Sequence, residues 1–204
     1  MFEQCRQMTR EKDVRILEEK IVYQGFISVK FLTLQVRLFS GQWSQVMTRD
    51  LVMQAMAVGV LLHDPVQHKV VLIEQFRPGT LNDIQSPWQL EIIAGLVETS
   101  EPIEETAIRE IKEEAGVEVS KLDLKPICQF WPNPGSSNHQ MRLFHAIVDS
   151  RDMGGVFGLS DEHEDIKVHV LDQGLAFSWL DEGRINNAPA IIALQWLRHQ
   201  SINN

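Results

Sequence analysis

The chain has 204 residues, 44% of them apolar and 23% charged, which suits one well-buried globular domain or one domain with a smaller appendage. Its formal net charge of −9 argues against a nucleic-acid-binding surface, which should be basic. Cys5 and Cys128 are too few for a disulfide framework, the charged N-terminus lacks a signal-peptide core, and the longest apolar run is too short to cross a bilayer. We therefore expect a cytoplasmic protein with neither nucleic acid nor membrane as a partner.

Residues 1–55 are predicted to form a small N-terminal antiparallel β-sheet domain. Residues 14–38 have the composition of strands, interrupted at Gly25, and the apolar residues between 32 and 38 alternate with a period of two. The turn Ser40-Gly41-Gln42 leads to another strand that ends near Val52. Such a sheet has one apolar face and few residues, so we expect it to pack against a larger body.

Residues 56–204 alternate between short buried strands and helical segments. The predicted strands cover residues 58–62, 70–73, 88–93, 124–131, 141–148 and 165–171, with a turn at 63–65 and a loop at 132–135. Two helices are predicted near residues 175–182 and 189–199, after one that follows Gly95. This order predicts an α/β domain with a mixed sheet and helices on both sides.

The helix after Gly95 carries the most specific pattern, GLVETSEPIEETAIREIKEEAGV from Gly95 to Val117. Glu110, Glu113 and Glu114 stand at i, i+3 and i+4, so their carboxylates share one face of a helix that Gly116 ends. Their mutual repulsion and hard oxygen atoms favour a Mg²⁺ site, with Mn²⁺ as an alternative. A solvated acidic helix is the competing interpretation, and the fixed spacing of the flanking glycines argues against it.

The spacing from Gly95 through Glu101 and Arg109-Glu110-Ile111 to Gly116-Val117 matches the Nudix box at every fixed position. The chain therefore resembles Nudix hydrolases, which cleave a diphosphate linked to another moiety. The resemblance implies a Nudix-type α/β/α sandwich. It also implies that the Ala94 carbonyl joins Glu110 and Glu114 as metal ligands. The supporting box positions are Gly95, Glu101, Arg109, Glu113 and Gly116.

Several features outside the box resemble the ADP-ribose pyrophosphatases of this superfamily, over roughly residues 14 to 200. They are Pro132, sixteen residues beyond Gly116, the loop at 133–137, the strand at 72–77 that ends in arginine, and the acidic loop at 158–166. The resemblance implies a small-molecule nucleoside diphosphate sugar as substrate, cleaved to AMP and ribose 5-phosphate. It also implies a homodimer whose N-terminal strands are exchanged between subunits.

Residue roles follow from the same resemblance. Glu162 matches a loop glutamate that acts as general base, and Glu164 matches an additional metal contact. His139 stands where the family loop usually has an acidic residue, and it either reaches the substrate or is an ordinary loop residue. The implied substrate-binding positions are Phe26, Arg49, Arg77, Leu96, Pro134 and His139.

Two other functions compete with this one. A Nudix hydrolase for another nucleoside diphosphate sugar, of the GDP-mannose type, shares the exchanged N-terminal sheet, but the loop at 132–134 and the loop containing Glu162 favour ADP-ribose. A non-catalytic ADP-ribose-binding module would be expected to lose carboxylates of the box, and none is lost.

Overall fold

The computed structural model describes residues 8–83 and 85–202, apart from the side chains of Glu162 and Ile202. The chain divides into two compact units. The first comprises the residues up to Gln54 together with 133–139, and the second comprises Ala55–Pro132 and the residues from Gln140 onward. Within the described ranges, no helix is long and apolar enough to span a membrane.

The first unit is built on a three-stranded antiparallel sheet, as the sequence predicted. A short helix not anticipated from the sequence, α1 (Arg10–Asp13), precedes β1 (Val14–Gln24), β2 (Ser28–Val36) and β3 (Met47–Met53). The central strand β2 pairs with both others, and β1 forms an edge. Nearly every residue of β1 is exposed, including the apolar side chains of Leu17, Ile21, Val22 and Tyr23.

The segment 133–139 joins this first unit through backbone hydrogen bonds to β3. The Val52 amide donates to the Ser136 carbonyl at 2.8 Å, and the Asn138 amide donates to the Val52 carbonyl at 3.1 Å. The Asn138 side-chain oxygen accepts a third hydrogen bond, from the Gln54 amide at 2.8 Å. A loop that lies far from the N-terminal strands in sequence is thereby fixed to them.

The second unit contains an eight-stranded mixed sheet with helices on both sides. The strand order is β10-β11-β5-β4-β9-β8, with β6 pairing with β5 and β7 pairing with β4. Only β4 and β9 pair in parallel; the other pairs are antiparallel. Its elements are β4 (Ala57–Asp64), β5 (Lys69–Phe76), β6 (Trp88–Glu91), β7 (Ile93–Leu96), α2 (Ile103–Ala115), β8 (Lys125–Phe130), β9 (Met141–Ile147), β10 (Gly155–Phe157), β11 (Ile166–Asp172), α3 (Gln173–Asp181) and α4 (Ala188–Ile202).

Two apolar clusters, one on each face of the sheet, confirm the predicted α/β/α sandwich. One contains Leu61 and Leu143 with residues of α3 and α4, and the other contains Ile73 with Ala107 and Ile111 of α2. Strand β4 is buried along its whole length because both of its faces are covered. This central strand and its neighbours form the rigid support for the helix that carries the acidic pattern.

Two local predictions differ from the structure. The strand predicted at 88–93 is two strands, because the chain leaves β6 at Ile92 and pairs next with β4 instead of β5. The predicted turn at 63–65 lies later, at 65–68, because the Asp64 carboxylate accepts hydrogen bonds from the amides of Val66 and Gln67 and so closes the turn after itself. The short strand β10 was not predicted.

A pair of buried histidines lies beneath α4. Gln173 donates its side-chain amide to Ser201, so its oxygen accepts from His63 Nε2 at 2.9 Å. Neutral His63 then accepts from His145 Nε2 at 3.3 Å, which leaves His145 Nδ1 as a buried acceptor with no donor among the described residues. The His145 ring also packs against Trp196, with ring centroids 5.1 Å apart.

This pair predicts a loss of stability in weak acid. Burial lowers the pKa of His145 to about 4 from its ordinary 6.5, and the charge of Lys125, like any charge on protonated His63, acts in the same direction. The unfolded chain takes up the proton near pH 6.5 and the folded chain does so near pH 4, so stability is fully present above the first value and lost as the pH falls toward the second. We expect the His145 contribution to the free energy of unfolding to fall by about 2–3 kcal/mol across this range.

The variant His145→Gln keeps a donor toward His63 but does not titrate. Urea unfolding between pH 7.5 and pH 4 gives the free energy of unfolding of the wild type and of the variant. In the difference between the two proteins, the contributions of carboxylates elsewhere cancel. If the free energy of unfolding changed equally with pH in both proteins, this interpretation of the histidine pair would be contradicted.

Candidate active site

Helix α2 begins after Pro102 and ends before Gly116. Pro102 is the N-cap in extended conformation, and Gly116 is the C-cap in the left-handed region with φ 68°. A Cβ on Gly116 would also lie 2.6 Å from a ring carbon of Phe157. Glycine is therefore required there by both the backbone angle and the contact with β10.

Arg109 connects three carboxylates along one side of this helix. Its Nη1 group lies 2.9 Å from Glu110 Oε1 and 2.8 Å from Glu113 Oε2, and its Nε lies 3.4 Å from Glu101 Oε1. The Thr106 hydroxyl donates to Glu101 at 2.7 Å and lowers the pKa of that carboxyl, and Arg109 adds to the effect. Arg109 and Thr106 thus fix the acidic side chains in place.

Glu110 and Glu114 are the carboxylates that α2 turns toward the sheet. Burial raises the pKa of Glu110 to about 7. Burial also raises the pKa of Glu114 well above its ordinary value, although its carboxylate accepts a hydrogen bond from the Ala94 amide at 2.9 Å. The charge of Glu164 raises both pKa values further. Two acidic groups are therefore held close together where their ionised forms are unfavourable.

Gly95 permits the close approach of β7 to this helix. A Cβ at position 95 would lie 1.9 Å from Glu110 Oε1, closer than any real contact allows. Only glycine lets the Glu110 carboxylate lie against the backbone beside Ala94. The glycine at position 95 is thus explained by packing against Glu110.

The donor set at this point fits a divalent cation. Among the described residues, no three His, Cys, Asp or Glu side chains are grouped as a metal site. The candidate donors that lie together are the Glu110 and Glu114 carboxylates and the adjoining main chain of Ala94. Oxygen donors of this kind, with room for water and phosphate oxygens, suit Mg²⁺ or Mn²⁺. The raised pKa values mark a site where a cation would relieve the repulsion. The Glu164 carboxylate itself accepts from the Leu159 amide at 3.2 Å.

The second unit has a cavity of about 330 Å³. Arg77, the residue directly after β5, and Glu164 both line it. Burial alone would lower the pKa of the Arg77 guanidinium, but its hydrogen bonds to Glu91 and the charges of Glu91, Glu114 and Glu164 outweigh burial and raise that pKa. The other lining residues are Gln75, Phe76, Trp88, His163 and Asp165.

The chain is similar to known proteins over most of its length. The model of the NUDIX domain family matches residues 53–194. The chain belongs to the NUDIX domain family. The ADP-ribose pyrophosphatase of Escherichia coli (strain K12) is 39% identical to it over 196 residues, which cover 95% of this chain and 93% of that protein.

Two further relatives are similar to this chain over most of their length. The ADP-ribose pyrophosphatase of Haemophilus influenzae is 41% identical over 191 residues, covering 92% of this chain and 87% of its own length. The GDP-mannose pyrophosphatase of Klebsiella pneumoniae is 26% identical over 189 residues, covering 91% and 92% respectively. The similarity in each case extends beyond the Nudix box to nearly the whole chain.

The structure places the other predicted residues in separate parts of the chain. Leu96 ends β7, one residue beyond Gly95, in the second unit. Glu162 ends the short 3-10 turn Ser160–Glu162 between β10 and β11, and its side chain lies outside the described part of the structure. Four substrate-binding candidates belong to the first unit: Phe26, Arg49, Pro134 and His139.

Within the first unit these four side chains have distinct settings. Phe26 lies in the β1–β2 turn and is 90% exposed, which is unusual for an aromatic residue without a partner surface. Arg49 lies on β3, and Pro134 and His139 belong to the segment 133–139 that is bonded to the same strand. The His139 amide donates to the Ser137 hydroxyl at 3.0 Å.

Two residues of the second unit were missed by the sequence analysis. Thr106 lies within the Nudix box at an unspecified position, and nothing in the motif distinguishes it from the apolar residues around it. Glu91 lies in a predicted strand, and only the pairing of β6 with β5 brings it to Arg77. An acidic residue interrupting a buried strand was the one available signal for Glu91.

Proposed function

We propose that this chain hydrolyses the diphosphate of ADP-ribose to give AMP and ribose 5-phosphate. The main support is the carboxylate pair of an intact Nudix box, Glu110 and Glu114, together with Arg77, which lines a cavity and is acted on by the charge of Glu114. Identities of 39% and 41% over nearly the whole chain to proteins named ADP-ribose pyrophosphatase support ADP-ribose as the substrate.

Mg²⁺ is the proposed cofactor, with Mn²⁺ as a possible replacement. The Ala94 carbonyl, Glu110 and Glu114 would hold it, and Glu164 would provide an additional contact. When bound, the cation supplies charge neutralisation of the diphosphate and lowers the pKa of a coordinated water. A chain with a net charge of −9 needs such local neutralisation to bind an anionic substrate.

The residues of the chain orient the substrate and move one proton. In the proposed reaction, Glu162 accepts a proton from the attacking water, whose oxygen bonds to phosphorus while the bridging P–O bond breaks. Arg77 and Arg49 bind the diphosphate or the ribose. Phe26 stacks on adenine, an interaction worth ~1–3 kcal/mol per base in other base-binding proteins. Leu96, Pro134 and His139 complete the proposed substrate contacts.

The proposed assembly is a homodimer in which the N-terminal domain, residues 1–55, is exchanged between subunits. The exposed apolar side chains of β1 support a partner surface on this strand, because a monomer rarely leaves such a run in water. Among the described residues, no strand pairs with the outer edge of β1, and an open edge of eleven residues is a template for pairing with another chain.

Product analysis tests the proposed function. Purified protein is incubated with ADP-ribose, with and without Mg²⁺, and the products are separated by chromatography. We expect AMP and ribose 5-phosphate only with the metal. Intact ADP-ribose together with cleavage of a nucleotide sugar such as GDP-mannose would replace the proposed substrate, and no cleavage of any nucleoside diphosphate sugar would overturn hydrolysis itself.

The close packing at Gly95 gives a further expected result. In Gly95→Ala the new methyl group must displace the Glu110 carboxylate, because the contact distance of 1.9 Å leaves no space for both. A displacement of this size is expected to lower kcat/KM for ADP-ribose ~100-fold. Gly174→Ala is the matched control, because a Cβ there meets nothing within 4 Å. Equal activity of both variants would contradict the proposed role of this contact.

A further inference from the structure

Strand pairing places Glu91 and Arg77 on one face of the sheet. In the register of β5 and β6, Glu91 lies opposite Ile73 and Gln89 lies opposite Gln75. Side chains alternate along a strand, so Ile73, Gln75, Arg77 and Glu91 share a face. Ile73 packs in the cluster that contains α2, so this face is the one that carries the box helix.

Glu91 binds one edge of the Arg77 guanidinium. Arg77 Nη2 donates to Glu91 Oε2 at 2.8 Å, and Arg77 Nε lies 3.1 Å from both carboxylate oxygens. The Gln75 side-chain amide lies 3.4 Å from the same carboxylate. The Glu91 side chain is only 14% exposed, so water competes weakly for these bonds.

The backbone of Arg77 is fixed independently of its side chain. The Arg77 amide donates to the Pro87 carbonyl at 2.8 Å, and the Arg77 carbonyl accepts from the amide and the hydroxyl of Thr80. Only the side chain therefore has freedom to reorient. Its Nη1 group donates to no residue in the described part of the chain, and Arg77 lines the 330 Å³ cavity together with Glu164.

Two nearby acids compete for this guanidinium. The negative charges of Glu114 and Glu164 act on Arg77 in addition to that of Glu91. Without Glu91, the flexible arginine would be drawn toward these acids, away from the substrate and onto carboxylates proposed to hold the cation. The hydrogen bonds to Glu91 oppose that movement. They occupy Nε and Nη2 and leave Nη1 available to a substrate.

We propose that Glu91 is a positioning residue that holds Arg77 in the orientation in which its Nη1 group binds a phosphate oxygen of the substrate. The proposal rests on the proposed function for the identity of the substrate. The role of Glu91 itself applies to any anionic diphosphate, which would bind to an arginine that Glu91 keeps separate from Glu114 and Glu164. Glu91 itself does not contact the substrate.

The test compares Glu91→Gln with Glu91→Asp in the full-length protein. The amide keeps the shape of the side chain but loses its charge and one acceptor, so we expect KM for ADP-ribose to rise ~10–100-fold with a smaller change in kcat, as for lost uniform binding. Aspartate keeps the charge and should recover part of the loss. Glu74→Gln is the matched control, because Glu74 lies on β5 and pairs with His169 instead.

A double-mutant cycle separates positioning from a general structural role. If Glu91 acts through Arg77, Glu91→Gln should have no further effect on kcat/KM in an Arg77→Gln background. The melting temperature of Glu91→Gln should stay close to that of the control. Additive losses in the double variant, or an unchanged KM in Glu91→Gln, would overturn the proposal.

Binding of inorganic pyrophosphate provides a readout independent of hydrolysis. Calorimetry in the presence of Mg²⁺ compares pyrophosphate binding by the wild type and by Glu91→Gln, and we expect at least ~10-fold weaker binding by the variant. A wild type that leaves ADP-ribose intact would defeat the proposed function alone. Equal pyrophosphate affinities for the two proteins would defeat the role of Glu91, whatever the substrate.

Discussion

Glu162→Gln is expected to lower kcat for ADP-ribose by ~10²–10⁴-fold with little change in KM. Glutamine has nearly the same shape as glutamate, but it does not accept the proton of the attacking water at neutral pH. Substrate affinity should therefore survive while turnover is lost. Steady-state kinetics at saturating Mg²⁺ measure both constants.

The control for this variant is Asp161→Asn, which removes the same charge one residue earlier in the loop. Asp161 is exposed and has no proposed role, so its variant should keep kcat within a few-fold. Full turnover by Glu162→Gln would remove Glu162 as general base. Equal losses in both variants would point instead to the net charge of the loop.

Glu114→Gln is expected to weaken Mg²⁺ binding and so to raise the Mg²⁺ requirement of the enzyme. Loss of one proposed ligand should raise the Mg²⁺ concentration for half-maximal activity at least ~10–100-fold, and lower kcat as well. Titration of activity with Mg²⁺ in the wild type and the variant gives both values. An unchanged Mg²⁺ midpoint would exclude Glu114 from the ligand set.

Although Glu114→Gln should lower activity, it should raise the stability of the metal-free protein. Burial raises the pKa of Glu114, so without metal the folded chain holds this proton more tightly than the unfolded chain, and stability rises as the pH falls through the folded-state pKa. In EDTA at pH 8, Glu114→Gln should therefore melt at a higher temperature than the wild type.

Added Mg²⁺ should reverse this order, because a ligand that binds only the folded state stabilises the protein in proportion to its affinity. Glu105→Gln, which changes an exposed acid on the same helix, is the control and should follow the wild type in both conditions. If Mg²⁺ did not change the melting temperature of the wild type, the proposed metal site would be contradicted.

Features of the fold that depend on local interactions were predictable from the sequence, and features that depend on long-range pairing were not. Helix α2 and its end at Gly116 were predicted because spacing, apolar stripe and stop signal are all local. The mixed sheet with helices on both sides was predicted from the order of elements. The split of residues 88–93 into β6 and β7 was missed, because a change of partner strand at Ile92 leaves the apolar run unbroken.

The sequence by itself determined the family, the two-sheet architecture and the box carboxylates, since fixed spacings and short-range periodicity carry that information. Tertiary structure alone decided that Glu91 binds Arg77, that His63 and His145 meet beneath α4, and that residues 133–139 bond to β3. Each of these contacts joins residues through strand register or chain reversal. Such long-range pairings depend on the free energy of the whole fold, and no local pattern records them.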